Sequence, residues 1–120
     1  MSYINNLVQL LFSIQFSNKL FHWNTRIYAT HKITDKFNEK LQELIDKFAE
    51  VYLGHYCQKI NVEKIKPIPI NCTEEYIKIL RHVSKNLSEI NFNQYESDLA
   101  NIRDELVGEI YRTIYLLQFS

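Results

Sequence analysis

Turn-forming residues and cysteines are scarce in this chain. Only 2 glycines and 2 prolines occur among its 120 residues, whereas a sheet-rich fold needs turn residues between its many short strands. The composition therefore favours long helices. The 2 cysteines are too few for a disulfide-based scaffold and are typical of free thiols in a reducing compartment.

An excess of charge of one sign and long apolar runs are also missing. Lys plus Arg and Asp plus Glu number 14 each, so the net charge is +0, and a nucleic-acid-binding chain would carry a basic surplus. No segment approaches the ~18 uninterrupted apolar residues of a membrane span, and the first residues lack the basic region of a signal peptide. We therefore expect a cytoplasmic protein with neither a nucleic-acid nor a membrane partner.

Four helical segments follow one another along the chain. Apolar residues spaced three and four apart predict helices over about residues 3–24, 30–53, 73–89 and 94–118. Residues at the ends of these segments have the types that begin or end helices. Gly54 suits the end of the second helix, Thr73 suits the N-cap of the third, and Asn93 with Glu96 resembles a capping box for the fourth.

The connection between the second and third predicted helices is much longer than the others. It spans residues 54–72, and Pro67 and Pro69 exclude regular helix across its later part. A connection of this length allows the two helices that it joins to lie parallel, which is a one-crossover topology. We therefore predict an all-α, ferritin-like four-helix bundle that forms a single domain over residues 1–120.

The first predicted helix carries apolar residues around most of its circumference, from Ile4 to Trp23. A helix of this kind must be covered on more than one side. In a bundle of this size, a second subunit supplies the additional cover most easily. We therefore expect a homo-oligomer, at least a dimer.

Polar residues that could bind a metal ion lie opposite the apolar stripe of the second predicted helix. His31 and Asp35 are four residues apart, as are Asp46 and Glu50, so each pair points the same way and could chelate a divalent ion. His22, at the end of the first helix, lies near the start of the second. A solvated helix face would show the same acidic pattern, and a buried histidine is more often a structural hydrogen-bonder than a ligand. Because these residues lie off the apolar stripe, any metal site is expected on the outer face, closed by a second subunit.

The run FHWNTRIYATHKITDKFNEKLQELIDKFAE resembles the signature of Dps-type mini-ferritins. The matching features are H-W-N at the end of the first helix, a histidine followed by an aspartate four residues later, and I-D-x-x-A-E. The chain also resembles small Dps-like helical proteins of phages and large DNA viruses. The resemblance implies an iron site between two subunits. One subunit would supply His22, His31 and Asp35, and its partner would supply Asp46 and Glu50.

Two functions follow from these observations. The resemblance implies a Dps-like iron-binding protein that acts as a ferroxidase on Fe²⁺ with peroxide or O₂, with Mn²⁺ or Zn²⁺ as competing metals. The alternative is a non-catalytic helical assembly or interaction protein that keeps the fold without the iron chemistry. The loop TRIYAT between the two histidines favours this alternative, because it is shorter than in Dps proteins and lacks their Gly-Pro turn. If the protein is viral, we expect it in the host cytoplasm or in the virion, and virion proteins become possible partners.

Overall fold

A computed structural model of the protein describes residues 3–120, which form four helices and no strand. The helices are α1 (Ile4–Asn24), α2 (Tyr28–Tyr56), α3 (Thr73–Ser88) and α4 (Ser97–Leu117). α1 packs on α2, α2 on α4, and α4 on α3. Tyr76 of α3 reaches Asn18 of α1 and closes the ring of helices. The predicted all-α four-helix bundle is therefore confirmed.

The connection between α2 and α3 runs along the side of α1, in the same direction as α1. The backbone N–H of Asn61 donates to Oδ1 of Asn5 (3.0 Å), and the backbone N–H of Ile68 donates to Oγ of Ser17 (2.7 Å). The chain thus returns to the end of the bundle where α2 began, so α3 runs parallel to α2. This is the predicted long crossover, and it gives the topology of ferritin-like bundles.

One apolar core lies between the four helices, because each helix contributes side chains at helical spacing to it. The largest fully buried side chains are those of Tyr76, Phe37 and Phe48. None of the helices in residues 3–120 is long and apolar enough to cross a membrane.

The end of α2 and the start of α3 differ from the predicted ones. α2 continues through Gly54 and ends after Tyr56, where Cys57 adopts the left-handed conformation (φ 52°). A glycine inside a helix costs only about 1 kcal/mol, and the added turn places Tyr56 against Tyr52 and Glu96. At α3, Thr73 is the first helical residue and not the N-cap.

The predicted pairing of Asn93 with Glu96 is present, but it lies before α4. The N–H of Asn93 donates to Oε1 of Glu96, and the N–H of Glu96 donates to the carbonyl oxygen of Asn93, both at 3.0 Å. Because α4 begins only at Ser97, the pair closes a turn in front of the helix. The carboxyl group of Glu96 is held there because it also accepts hydrogen bonds from the hydroxyls of Tyr3 and Tyr56.

Candidate site on the α1–α2 face

The two predicted histidine ligands come together where α1 ends and α2 begins. The rings of His22 and His31 stack, with their centroids 3.9 Å apart. Nδ1 of His22 lies 2.8 Å from the carbonyl oxygen of His31, and Nδ1 of His31 lies 3.0 Å from the carbonyl oxygen of His22. Because a carbonyl oxygen can only accept, both Nδ1 atoms carry a hydrogen, and in the neutral rings both Nε2 atoms keep a lone pair.

Asp35 lies beside this histidine pair. Its Oδ1 is 4.0 Å from Nε2 of His22, which is longer than a hydrogen bond. His22 is buried, whereas His31 is exposed and the side chain of Asp35 is half exposed. Two imidazoles and a carboxylate are donor groups that first-row transition-metal ions accept, so the chemistry of this corner fits a metal ion in part.

Asp46 and Glu50 lie far from the histidine pair of the same chain. Asp46 follows Asp35 by 11 residues, which corresponds to about 16 Å along a helix axis. Both side chains are exposed. Across residues 3–120, no group of three or more His, Cys, Asp or Glu side chains is placed to hold a metal ion. The predicted ligands therefore form two separate groups within one chain.

An apolar groove lies on the outside of the bundle between α1 and α2. Its volume is about 510 Å³, and it is lined by Phe12, Gln15, Phe16, Lys19, Leu20, Trp23, Asn38, Gln42 and Ile65. The side chain of Phe16 is 50% exposed and that of Trp23 is 64% exposed. The apolar residues from α1 recur at helical spacing, as core residues do, yet Phe12 and Leu20 are only partly buried and Phe16 and Trp23 are exposed. An exposed apolar surface of this kind is a candidate interaction site.

Charges around the groove are divided between the two helices. α1 contains no acidic residue, and its Lys19 lines the groove with Nζ 5.9 Å from the centroid of the Trp23 ring. On α2, Asp35 and Asp46 occupy the row that also carries the two amides of the groove, at spacings of three and four residues. An apolar centre is thus bordered by a cation on the α1 side and by carboxylates on the α2 side.

Sequence reasoning did not identify two parts of this region. The groove includes Ile65 of the crossover, for which the sequence has no signal, because its position depends on how the crossover packs against α1. The second part is a set of buried polar groups around Thr34. The sequence does contain one signal for these buried polar groups, because Thr30 and Thr34 continue the apolar stripe of α2 towards the start of the helix. In the structure both threonines are fully buried.

The chain is similar to a protein of Enterobacteria phage T4. That relative is an uncharacterised 14.6 kDa protein from the mobD-ri intergenic region, and the two are 28% identical over 101 residues. The match covers 82% of this chain and 75% of the relative. No solved structure matches the chain.

The resemblance to Dps-type mini-ferritins predicted from the sequence is wrong. The family model that matches, over residues 22–117, is neither a Dps nor a ferritin family. Two of the three features that suggested Dps are pairs four residues apart, His31 with Asp35 and Asp46 with Glu50, a spacing that any solvated helix face can show. Its specificity was therefore low. The match over residues 22–117 shows that the chain belongs to DUF5856, a family of unknown function.

Proposed function

We propose that the protein is a non-catalytic helical assembly protein whose basic unit is a homodimer joined through the α1–α2 face. The observation that supports this function is the apolar groove, in which Phe16 and Trp23 expose half or more of their side chains. Removing apolar surface from water contributes about 25 cal/mol per Å². Covering the groove therefore favours association, and it would supply the additional cover that α1 requires.

A second copy of the chain fits this face because the charges on the face are self-complementary. In a two-fold dimer the same patch meets itself, so α1 of each copy can lie against α2 of the other. Lys19 would then approach carboxylates of the opposing α2, while the apolar stripes meet at the centre. Opposite charges at the border of an apolar centre set the register and orientation of such a contact.

Sedimentation velocity at increasing protein concentration tests this proposal. We expect a dimer for the unmodified chain, and its loss in Phe16→Asp, because a carboxylate buried in an apolar contact loses its hydration without gaining a partner. Tyr111→Asp is the matched control: Tyr111 is a similarly exposed aromatic residue (47%) on α4 that does not line the groove. The dimer should survive this control. A chain that stays monomeric at the highest concentration, or a dimer that survives Phe16→Asp, contradicts the proposal.

A divalent-ion site shared by two copies is a second candidate function. The observation that favours it is the reciprocal hydrogen bonding of His22 and His31, because metal-binding histidines usually donate their other ring N–H to a carbonyl or carboxylate. Imidazole and carboxylate donors suit Fe²⁺, with Mn²⁺ and Zn²⁺ as competitors. Asp35 would supply an oxygen from the same chain, and Asp46 and Glu50 would supply oxygens across the dimer contact.

An anaerobic titration with Co²⁺, followed by absorbance, tests metal binding. We expect His31→Ala to abolish binding. The double variant Asp46→Ala, Glu50→Ala should weaken binding at least about tenfold, because loss of a residue that only hydrogen-bonds to a metal ligand already weakens binding by about that factor. Glu43→Ala, another exposed acid of α2, is the control and should leave binding unchanged. Absence of Co²⁺ binding in the unmodified chain would exclude this second function, and full binding after loss of both acids would exclude the shared site.

A further inference from the structure

A chain of buried polar contacts begins at His22. Oγ1 of Thr34 lies 3.0 Å from Nδ1 of His22 and 2.8 Å from the carbonyl oxygen of Thr30. A threonine hydroxyl has one hydrogen, and the carbonyl oxygen can only accept it, so the hydroxyl donates to Thr30 and accepts from His22. The Nδ1–H group of His22 is therefore shared between the hydroxyl of Thr34 and the carbonyl oxygen of His31.

Asn18 and Tyr76 hold Thr34 from the other side. Nδ2 of Asn18 donates to the carbonyl oxygen of Thr34 (2.9 Å), and Oδ1 of Asn18 accepts from the hydroxyl of Tyr76 (2.6 Å). All three residues are fully buried. Burial raises the pKa of the Tyr76 phenol well above its usual value, so the phenol stays a donor. This fixes which end of the Asn18 amide faces Thr34.

We infer that Thr34, held by Asn18 and Tyr76, is a positioning residue for the imidazole of His22. Together with the carbonyl oxygen of His31, it keeps the ring as the Nδ1–H tautomer, with an unprotonated Nε2 on the side of Asp35. Buried polar groups stabilise a fold only when each has its partner. Here the buried side chains of Tyr76 and Asn18 hold the backbone carbonyl of Thr34, and the side chain of Thr34 contacts the imidazole. The idea that this Nε2 binds a metal ion rests on the second proposed function. The tautomer of His22 does not depend on a metal.

Imidazole ¹⁵N resonances test this inference, because they distinguish the two neutral tautomers of His22. We expect the Nδ1–H form in the unmodified chain. In Thr34→Val, which keeps the shape and removes the hydroxyl, the ratio of the Nδ1–H to the Nε2–H form should fall about fivefold, as expected for loss of one hydrogen bond. Thr34→Ser retains a hydroxyl and should restore the ratio, which a purely structural role for Thr34 would not require.

Tyr76→Phe provides an independent variant at the far end of this chain of buried polar contacts. It should shift the same ratio in the same direction by a smaller factor, and circular dichroism shows that each variant is folded. An unchanged tautomer ratio in the folded valine or phenylalanine variant overturns the inference. Titration with Co²⁺ separates the two proposals, because Thr34→Val should weaken binding about tenfold. If the unmodified chain binds no Co²⁺, the metal function fails, and the tautomer ratio alone decides the role of Thr34.

Discussion

Replacing Phe48 by alanine is expected to lower the free energy of unfolding by about 3–5 kcal/mol. The side chain of Phe48 is 1% exposed. Its ring packs against the rings of Tyr3 (centroids 6.5 Å apart) and Phe92 (6.2 Å). Truncation therefore opens a cavity where α2 meets the start of the chain and the turn before α4. Denaturant unfolding followed by circular dichroism measures the loss.

Phe16→Ala is the matched control, because it is the same chemical change at a side chain that is 50% exposed. The unfolding free energy of the monomer should fall far less than for Phe48→Ala, since little buried contact is lost. The affinity of the dimer should fall instead, because Phe16 lines the groove. Equal losses of monomer stability in the two variants would contradict the assignment of Phe48 to the core and Phe16 to the outer face.

Replacing Glu96 by alanine is expected to cost about 2–3 kcal/mol of unfolding free energy. The residue is 4% exposed, and its carboxyl group accepts hydrogen bonds from the hydroxyls of Tyr3 (3.0 Å) and Tyr56 and from the N–H of Asn93. Its removal leaves these donors without their acceptor. Asp98→Ala is the control, because Asp98 forms an exposed ion pair with His55 and should contribute clearly less. Equal effects would show that the carboxyl group of Glu96 does not join the helices.

The contribution of Glu96 should also depend on pH. Burial raises the pKa of its carboxyl group, but the hydrogen bonds from Tyr56, Asn93 and Tyr3 outweigh burial, so the pKa lies below its ordinary value. The unfolded chain then binds the proton more tightly than the folded one. The stabilisation is complete above the ordinary glutamate pKa of about 4.3 and is lost as the pH falls through the lower folded value. Thermal unfolding of Glu96→Gln should therefore vary less with acid pH than that of the unmodified chain.

The helices and their order could be predicted because they depend on local patterns. Pro67 and Pro69 excluded regular helix across the later part of residues 54–72, and the resulting long connection allowed α2 and α3 to lie parallel. The end of α2 could not be predicted from Gly54, because the extra turn is stabilised by the contact of Tyr56 with Glu96, 40 residues away. The position of Asn93 and Glu96 before α4 has the same cause, since Tyr3 lies 93 residues from Glu96.

The candidate site shows the same division between local and distant information. The meeting of His22 and His31 could be predicted, because one residue ends a helix and the other follows a short turn. Their reciprocal hydrogen bonds and the chain of buried polar contacts through Thr34 depend on side-chain orientations. Spacing along the sequence does not determine these orientations. The spacing of Asp46 and Glu50 is compatible with a ligand pair and with a solvated helix face, so their role as ligands stays a prediction.

Contacts between two copies of the chain test the central claim most directly. In a sample that mixes ¹³C-labelled and unlabelled protein, isotope-filtered nuclear Overhauser spectra record only protons that are close across the contact between copies. The α1–α2 dimer predicts such contacts at Phe16, Leu20 and Trp23. Contacts confined to the outer face of α4, at Tyr111 and Tyr115, or a complete absence of contacts between copies at the high concentrations of the experiment, would contradict it.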